Sequence, residues 1–392
     1  MNRLEHLRVA LAALDRDHLR RIRRDNQRPC SPRVLIGGKE YVAFCSNDYL
    51  SLAADPRLAE ALAEGARRWG AGAGASHLVS GHYAVQHELE RRLATFVGRE
   101  RALLFPAGFM TNCGIVPALV GRGDAIFADR LNHASLIDGM LLSRAKAHRY
   151  PHLDLAALER LLAASDAPTK LIVSDAVFSM DGDVAPLRAL TALAERFDAW
   201  LLIDDAHGFG VLGPQGRGAL AEAGLPGAAA ENWRLIQVGT LSKAAGVAGA
   251  FVAGADDVIE WLMQKTRTYI FTTGSPPALA QALLVSIELI EEGEARRAHL
   301  AALIARLAAR LAQERWRLLP SRTPIQPLIV GDNAVALALA AALMDEGLWV
   351  PAIRPPTVPP GSARLRISLS AAHALEEVDR LAEAINRLES RL

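Results

Sequence analysis

A chain of 392 residues exceeds the usual size of one domain, so its length predicts two packed lobes. Hydrophobic residues make up 51% of the chain, and charged residues make up 22% with a formal net charge of +1. This balance lacks the basic excess of a nucleic-acid-binding protein, and the three cysteines have neither metal-ligand nor disulfide-framework spacing. The composition therefore predicts a soluble, cytoplasmic enzyme with no nucleic-acid partner and no metal.

The amino-terminal segment predicts a helix from residue 1 to about 28, because leucines repeat there at helical spacing. Arginines between Arg20 and Arg24 are interpreted as a solvated face of this helix. No apolar run follows the first basic residues, so no signal peptide is predicted. The uncharged stretch over residues 268–287 contains Pro276-Pro277 and predicts a buried loop before a core helix, not a membrane span.

Short apolar runs alternate with Ala- and Leu-rich helical segments from about residue 55 to residue 330. This alternation predicts an α/β lobe with a largely parallel sheet that is buried on both faces. The predicted strands cover residues 102–105, 125–128, 171–174, 200–203, 235–238 and 250–253. Helices are predicted, for example, over residues 155–164 and 187–197.

The carboxyl-terminal part of the chain predicts a smaller α/β lobe. A helix over residues 277–313, continuous or broken near Gly293, leads into it. Strands over 328–330, 349–353 and 364–368 and a helix over 334–347 follow. The predicted domains are therefore an amino-terminal helix and short hairpin (1–45), a large cofactor-binding domain (46–285) and a small domain (286–392).

Polar side chains follow two of the predicted strands, at the point where each strand ends. Asp204 and His207 come after the strand over 200–203, and Thr240 and Lys243 come after the strand over 235–238. Ligands of parallel sheets bind at this edge, so the two groups are predicted to converge. Considered alone, Asp204 is also typical of a capping residue, and Lys243 is also typical of a surface lysine. Together, an amine and a carboxylate are what pyridoxal phosphate needs to bind covalently and to keep its ring nitrogen protonated.

A glycine-containing run follows the first strand of the predicted sheet and opens a helix. The run is Pro106-Ala107-Gly108-Phe109-Met110-Thr111-Asn112. The free amides of a helix amino terminus suit a phosphate group, although a plain glycine turn fits the same pattern. The run is thus a candidate phosphate site.

Motifs along most of the chain, from about Arg21 to His373, resemble those of the α-oxoamine synthases, which are fold-type I pyridoxal-phosphate enzymes. The matching runs are Ser46-Asn47-Asp48-Tyr49-Leu50, Gly70-Ala71-Gly72-Ala73-Gly74-Ala75-Ser76, Ser80-Gly81-His82, Asn132-His133-Ala134-Ser135, Val177-Phe178-Ser179-Met180-Asp181-Gly182-Asp183, Asp204-Asp205-Ala206-His207-Gly208 and Ala352-Ile353-Arg354-Pro355-Pro356-Thr357-Val358-Pro359. The resemblance implies a fold-type I transferase, with a mostly parallel sheet sandwiched by helices in the large lobe and a smaller carboxyl-terminal α/β lobe.

The resemblance also implies roles for residues around the cofactor ring. Lys243 would carry pyridoxal phosphate, and Asp204 would pair with the ring nitrogen. His207 and Ser179 would hydrogen-bond the 3-oxygen of the ring, and His133 would stack on its face. Two simpler interpretations stay open: His133 as a helix cap and Ser179 as a turn residue.

For the phosphate, the resemblance implies the amides of Gly108 and Phe109 and the hydroxyl of Thr240. A threonine of the neighbouring subunit reaches the phosphate in related enzymes, and Thr273 is the matching position. An obligate homodimer with shared active sites is therefore implied. Many relatives have Phe-Gly before the lysine where this chain has Leu241-Ser242, so the phosphate geometry is expected to differ.

Substrate contacts are implied for six residues, of which His133 would help to orient the amino-acid carboxylate and the thioester carbonyl. Arg366 would clamp the carboxylate of the amino acid, because a guanidinium binds carboxylates in a bidentate manner. Asn47 either contacts the substrate or orders its own loop. Arg21, Arg354 and Thr357 would bind the acyl substrate, through its distal carboxylate or a carrier phosphate. Because Arg364, Arg366 and Ser368 alternate along one strand, a solvated face is the simpler interpretation of Arg366.

The resemblance implies a decarboxylative condensation of L-alanine with pimeloyl-CoA or a pimeloyl-acyl carrier protein. Arg354 before Pro355 favours this pair, since relatives that use glycine tend to have an aromatic residue there. Another α-oxoamine synthase, such as a glycine C-acetyltransferase, is the alternative. A non-catalytic subunit is disfavoured because Lys243 is present, and a Rossmann dehydrogenase because residues 70–74 lack a preceding strand.

Overall fold

The computed structural model describes residues 2–225 and 232–392. The strands are β1 Arg33–Ile36, β2 Lys39–Ala43, β3 Arg101–Phe105, β4 Ala125–Asp129, β5 Lys146–Tyr150, β6 Lys170–Asp175, β7 Trp200–Asp204, β8 Leu235–Thr240, β9 Ala250–Gly254, β10 Arg317–Leu318, β11 Ile325–Gly331, β12 Leu348–Trp349, β13 Ala352–Ile353 and β14 Ala363–Ser368. The α-helices are α1 Arg3–Arg16, α2 Pro56–Trp69, α3 Ala84–Val97, α4 Gly108–Leu119, α5 Ala134–Ser143, α6 Leu155–Ala163, α7 Leu187–Arg196, α8 Ala219–Glu222, α9 Asp256–Lys265, α10 Arg267–Ile270, α11 Pro277–Glu291, α12 Glu294–Arg310, α13 Asn333–Asp345 and α14 Leu375–Glu389.

The described chain divides into two compact units. The large unit comprises the described residues of Leu50–Ser179 and Asp183–Arg297. The small unit comprises the residues up to Tyr49 together with Met180–Gly182 and Ala298–Leu392. The domain boundaries that the sequence places after residues 45 and 285 stay a prediction.

The large unit is built on a seven-stranded sheet in the order β3-β9-β8-β7-β6-β4-β5. Strand β9 runs antiparallel to both of its neighbours, and the other pairs are parallel. Each of the six predicted strands belongs to this sheet, so the predicted α/β class is confirmed. Strand β5 was not predicted because it is an edge strand whose sequence, Lys-Ala-His-Arg-Tyr, is mostly polar and exposed.

Apolar residues of the strands and of the covering helices form the core of the large unit. Ile126 on β4, Val252 on β9 and Ile115 on α4 belong to one buried cluster. The strands β4, β7, β8 and β9 are buried along almost their whole length. Because side chains alternate between the faces of a strand, this burial requires cover on both faces of the sheet.

The small unit contains an antiparallel sheet, β10-β11-β14-β13, and a second sheet, β1-β2-β12. The hairpin turn between β1 and β2 lies at Gly37-Gly38, both with positive φ, as the sequence predicted. The single strand predicted over 349–353 is wrong: it is split into β12 and β13 around Val350-Pro351, where proline has no N–H to donate. The predicted long helix is broken at Gly293, into α11 and α12.

The amino-terminal helix is shorter than predicted. Helix α1 ends at Arg16, because Asp17 caps it and His18 adopts a left-handed φ of 55°. The arginines at positions 20 to 24 therefore follow the helix and do not form one of its faces, which corrects the prediction. The leucine stripe of α1 is exposed, with Leu7 59% accessible. Among the described residues, no helix has the length and apolar character needed to cross a membrane.

Gly246, three residues after Lys243, is a position of the large unit at which we expect an added methyl group to be disruptive. Its φ is +71°, and a Cβ there would lie 2.6 Å from the Ala53 amide nitrogen and 2.7 Å from the Leu52 carbonyl carbon. We expect Gly246→Ala to lower the free energy of unfolding by about 3–5 kcal/mol, since backbone strain and overpacking add.

The matched control is Gly123→Ala, because Gly123 has a φ of +96° but no atom within 4 Å of the position that an added Cβ would take. This variant should lose only the backbone contribution, about 1–2 kcal/mol. Chemical unfolding of both variants measures the difference. Equal losses would contradict the assignment of a packing clash to Gly246.

Candidate active site

The carboxyl ends of β7 and β8 bring together the groups that the sequence predicted to converge. These two strands are parallel neighbours, with Asp204 opposite Val238. Lys243 follows the end of β8, and its Nζ lies 2.8 Å from Nε2 of His207. Both Asp204 and His207 are buried. An amine, an imidazole and a carboxylate therefore share the edge of the sheet where ligands of α/β folds bind.

The Asp204 carboxylate is held in a fixed orientation. Asn112 Nδ2, on the first turns of α4, donates a 2.6 Å hydrogen bond to Oδ2. The Ala206 amide donates a 3.0 Å bond to Oδ1. Asn112 Nδ2 also donates to Ser135 Oγ at 2.9 Å, which links α4 to α5. These bonds hold both oxygens of the carboxylate in place.

His133 begins α5 and caps it, because its Nδ1 accepts a 3.3 Å hydrogen bond from the Ser135 amide. Its own amide donates to Asp175 Oδ2 at 2.7 Å. The helix-cap interpretation is thus realised, and the ring still lies edge-on to Phe109, at 6.3 Å between centroids. Burial lowers the pKa of His133, the Asp204 charge opposes this and the Lys243 charge adds to it. A neutral imidazole is favoured at neutral pH.

Asp175, which ends β6, pairs in register with Asp204 on β7. Burial raises the pKa of the Asp175 carboxyl well above its ordinary range, and the neighbouring Asp204 charge raises it further. The amide of His133 partly opposes this shift by donating to it. Two acids thus lie side by side at the buried strand ends, and burial and the neighbouring acid hold Asp175 toward its neutral form.

The amino terminus of α4 can receive a phosphate group. No side chain caps this helix at Ala107, so the amides of its first turn, including Gly108 and Phe109, point outward from the helix end. Thr240 Oγ1 lies 3.7 Å from the position a Cβ of Gly108 would take, and 2.9 Å from Ser242 Oγ. The amine, the carboxylate and this uncapped helix end fit the groups of pyridoxal phosphate.

Two further residues predicted for the cofactor lie in loops of the large unit. Ser179 occupies the turn after Phe178, whose amide donates to Asp183 O at 3.0 Å, so it is a turn residue as the simpler interpretation held. Thr273 lies in the loop between α10 and α11, where it forms an isolated bridge with Ser76. Its side chain is exposed, as a residue that reaches a neighbouring subunit must be.

The small unit brings Arg366 and Asn47 together. Arg366 Nη1 donates to Asn47 Oδ1 at 3.2 Å and to Ser368 Oγ at 2.6 Å, and Tyr49 Oη also donates to Asn47 Oδ1, at 3.1 Å. Arg366 is only 6% exposed and every residue of β14 is buried. The interpretation of this strand as a solvated face is therefore wrong. The neighbouring Arg364 is also buried, and it is paired with Asp181 at 2.7 Å.

Arg21, Arg354 and Thr357 line one groove of the small unit, with a volume of about 540 Å³. Burial lowers the pKa of Arg354, and the charge of Arg21 lowers it further. Arg354 Nε is buried and has no hydrogen-bond partner among the described residues. Two cations that repel each other and an unsatisfied donor make this groove suited to an anionic group.

His152, which has no predicted contact with cofactor or substrate, joins two acids of the large unit. Its Nδ1 lies 3.0 Å from Asp129 Oδ1 and its Nε2 lies 2.7 Å from Asp183 Oδ2. Burial lowers the pKa of His152, but the hydrogen bonds to both carboxylates outweigh it and raise the value to about 10. The ring also packs edge-on against Phe178. This imidazolium thus ties the end of β4 to the segment that carries Ser179.

We expect His152→Gln to lower the free energy of unfolding by about 1–3 kcal/mol near pH 6, since it removes a partly buried charge that is hydrogen-bonded to two carboxylates. The pKa in the fold lies above the ordinary value of 6.5, so this stabilisation is complete below pH 6.5 and is lost as the pH rises through about 10. Unfolding of the parent and the variant at several pH values should therefore show a difference that shrinks with rising pH.

His148→Gln is the control for this experiment, because burial lowers the pKa of His148. The stability difference between this variant and the parent should therefore not shrink as the pH rises. A stability difference for His152→Gln that stays constant up to pH 10 would show that the ring is not charged.

Two residues of this region had no role in the sequence-based prediction. Asn112 was predicted only as part of the phosphate run, and Asp175 only marks the end of a strand. The pattern that could have found Asn112 is its spacing of four from Gly108, which places it one turn into the helix. The position of Asp175 beside Asp204 could not be predicted, because it depends on β6 and β7 being neighbours in register.

The chain is similar to known proteins both in sequence and in structure. The family model "Aminotransferase class I and II" matches residues 39–385. An 8-amino-7-oxononanoate synthase of Azoarcus sp. (strain BH72) is 69% identical over 98% of each chain. A serine palmitoyltransferase from S. paucimobilis, solved with bound PLP, superposes with a TM-score of 0.91 at 29% identity over all of both chains. An 8-amino-7-oxononanoate synthase from Francisella tularensis superposes with a TM-score of 0.77 at 30% identity, over 90% of this chain and 98% of that one.

The chain therefore belongs to the aminotransferase class I and II family, with the fold-type I architecture of pyridoxal-phosphate enzymes. The match extends over nearly the full length of both partners, so it is a match of whole proteins. Within the family, the chain groups with the 8-amino-7-oxononanoate synthases.

Proposed function

We propose that this protein is a pyridoxal-phosphate-dependent acyltransferase of biotin biosynthesis. It condenses L-alanine with pimeloyl-CoA or a pimeloyl-acyl carrier protein and releases 8-amino-7-oxononanoate, carbon dioxide and the free thiol. The observation that carries the proposal is the 2.8 Å approach of Lys243 Nζ to His207 beside a buried Asp204. These residues lie at the strand ends of a chain that is 69% identical to an 8-amino-7-oxononanoate synthase.

When bound, pyridoxal phosphate supplies an aldehyde that condenses with amines and a ring that accepts an electron pair. Lys243 is the amine that attaches it, and Asp204, fixed by Asn112, keeps a proton on its ring nitrogen. His207 and Ser179 would bind the ring oxygen. His133, whose pKa is lowered by burial, would cover the ring as a neutral imidazole.

The phosphate would lie at the amino terminus of α4, on the amides of Gly108 and Phe109 and the hydroxyl of Thr240. The hydroxyl of Ser242 lies 2.9 Å from the hydroxyl of Thr240 and would orient the Thr240 hydroxyl. We further propose a homodimer in which Thr273 of the partner subunit completes this site; the exposure of Thr273 supports it. A cytoplasmic location is part of the proposal.

Lys243 Nζ would be the base that accepts the Cα proton of alanine. Its neighbour His207 Nε2 can take part of the positive charge that this transfer creates, through the 2.8 Å contact. The amine then returns the proton after carbon dioxide is lost. His133 would orient the alanine carboxylate and the thioester carbonyl.

Arg366 and Asn47 would hold the carboxylate of alanine. The guanidinium is already fixed by Asn47 and Ser368, so little side-chain entropy is lost on binding. Arg21, Arg354 and Thr357 would hold the acyl substrate in their common groove, where the unsatisfied Nε of Arg354 favours an anionic group.

Arg366→Lys should raise KM for alanine by about 10- to 100-fold, because lysine cannot make the bidentate, charge-assisted contact. KM for the pimeloyl thioester should change little. Steady-state kinetics with each substrate varied in turn measures both values. Arg317→Lys, at an exposed position of β10, is the control, and equal effects on the two KM values would refute the assignment of Arg366 to alanine.

The proposal as a whole is tested by incubating the purified protein with pyridoxal phosphate and then adding alanine, glycine, pimeloyl-CoA and acetyl-CoA in turn. Alanine should change the absorption spectrum, and alanine with pimeloyl-CoA should yield 8-amino-7-oxononanoate by mass spectrometry. A response to glycine and acetyl-CoA instead would favour the glycine C-acetyltransferase alternative. A protein that stays colourless after pyridoxal phosphate is added would be a non-catalytic subunit.

A further inference from the structure

The amino-terminal half of α3 carries a cluster of histidine and glutamate side chains that the proposed reaction does not use. His82 precedes α3, and His87 and Glu90 lie on it, three residues apart and thus on one face of the helix. One ligand atom from each of these three lies within 4.8 Å of the others. They line a cavity of about 180 Å³ that also includes His77 and Tyr269.

The first reason to consider a ligand here is how the side chains are oriented. His77 Nδ1 lies 3.0 Å from His82 Nδ1, so that nitrogen is occupied and Nε2 is left to face Glu90. Glu90 Oε1 accepts a 2.9 Å hydrogen bond from the Leu104 amide, which leaves Oε2 toward His82. In both His82 and Glu90, the atom that faces away from the other residue is held by a neighbour. The outer-shell partners of metal ligands hold those ligands in the same way.

The second reason is that His82 and Glu90 do not bond each other. Their closest atoms, Nε2 and Oε2, are 3.8 Å apart, beyond hydrogen-bond reach. Donors around a tetrahedral zinc ion lie roughly 3.3 Å apart, given bonds of about 2.0–2.1 Å. To bind one ion, the three ligand atoms need only move slightly closer together. The exposed side chain of His87 can make this movement.

Charge in the cavity also favours a cation. Glu90 is buried. The arginines that line the cavity are engaged elsewhere: Arg91 pairs with Glu88 at 2.9 Å, and Arg101 pairs with Glu260 at 2.8 Å. A divalent ion could bind the buried carboxylate directly, since Arg91 and Arg101 form their ion pairs with other acids.

We propose that His82, His87 and Glu90 form a binding site for a borderline divalent metal ion, with Zn²⁺ the preferred occupant. Two imidazoles and one carboxylate are a ligand set that suits zinc, and the cavity leaves a fourth position for water. His77 acts as a positioning residue through Nδ1 of His82. Bound metal would fasten the segment that carries His82 to helix α3.

The test uses the pyridoxal-phosphate-loaded protein without a polyhistidine tag, freed of metal by a chelator. Calorimetric titration with Zn²⁺ should give one site per chain, and Zn²⁺ should raise the melting temperature. Co²⁺ should give the visible absorption of a tetrahedral site. His87→Asn, an exposed position, should weaken Zn²⁺ binding by at least about tenfold and abolish the rise in melting temperature.

His82→Asn should weaken binding to a similar extent, and His6→Asn, at an exposed position of α1, is the control that should leave it unchanged. Zinc binding of equal strength in His87→Asn and the parent, or no binding to the parent, would overturn the proposal. Because the readout is metal affinity and not turnover, the result does not depend on the proposed enzymatic reaction.

Discussion

Lys243→Ala is expected to lower kcat by at least about 10³-fold and to abolish covalent attachment of pyridoxal phosphate. The side chain has two tasks in the proposed reaction, since it attaches the cofactor and then moves the Cα proton. Loss of a positioned general base alone costs about 10²–10⁴-fold. Turnover with alanine and pimeloyl-CoA measures the first effect. Borohydride reduction followed by peptide mass spectrometry measures the second.

Lys265→Ala, at an exposed position near the end of α9, provides the control and should retain both properties. Alanine at position 243 should leave the fold intact, because Lys243 is only half-buried. Undiminished turnover in Lys243→Ala would refute the proposed chemistry. Retained covalent cofactor with lost turnover would show that another lysine attaches it, and would leave Lys243 only as the base.

Asp204→Asn is expected to lower kcat by about 10²–10⁴-fold while the protein still binds pyridoxal phosphate. An amide of the same size cannot hold a proton on the ring nitrogen, so the ring becomes a weaker electron acceptor. The substitution also removes the charge that helps to raise the pKa of Asp175. The loss of one accepted hydrogen bond opposes this relief, so the melting temperature of the cofactor-free variant should change little.

This combination separates an electrostatic role from a structural one. If Asp204 served mainly to support the fold, Asp204→Asn would lower both kcat and the melting temperature. Asp198→Asn, whose side chain is 83% exposed, is the matched control and should change neither. A variant at position 204 with full activity would remove the carboxylate from the mechanism.

Prediction of the fold from the sequence succeeded where local apolar patterns are strong. The six predicted strands of the large sheet are all buried and rich in Val, Ile, Leu and Ala, so their composition alone identifies them. Strand β5 has no such pattern, because its pairing with β4 and not its composition makes it a strand. The end of α1 depended on the left-handed backbone of His18, which a leucine repeat cannot indicate.

The same division holds for the site. Asp204 and Lys243 were predicted to converge because parallel strands end at one edge of a sheet, and the register of β7 and β8 bears this out. The bond from Asn112 to Asp204 joins residues 92 positions apart, so no local pattern reveals it. The common groove of Arg21 and Arg354 likewise depends on tertiary packing within the small unit.

The side-by-side carboxylates of Asp175 and Asp204 have a consequence for the lifetime of the protein before it is loaded. A fold that buries Asp175 beside Asp204 loses stability, because burial and the neighbouring charge hold Asp175 away from its ionised form, and a positive charge on a bound ring would offset part of this loss. Cofactor binding then shifts the folding equilibrium by mass action, by about 4 kcal/mol at a thousandfold excess over Kd. When pyridoxal phosphate is scarce, the empty chains should be the first to unfold and be degraded.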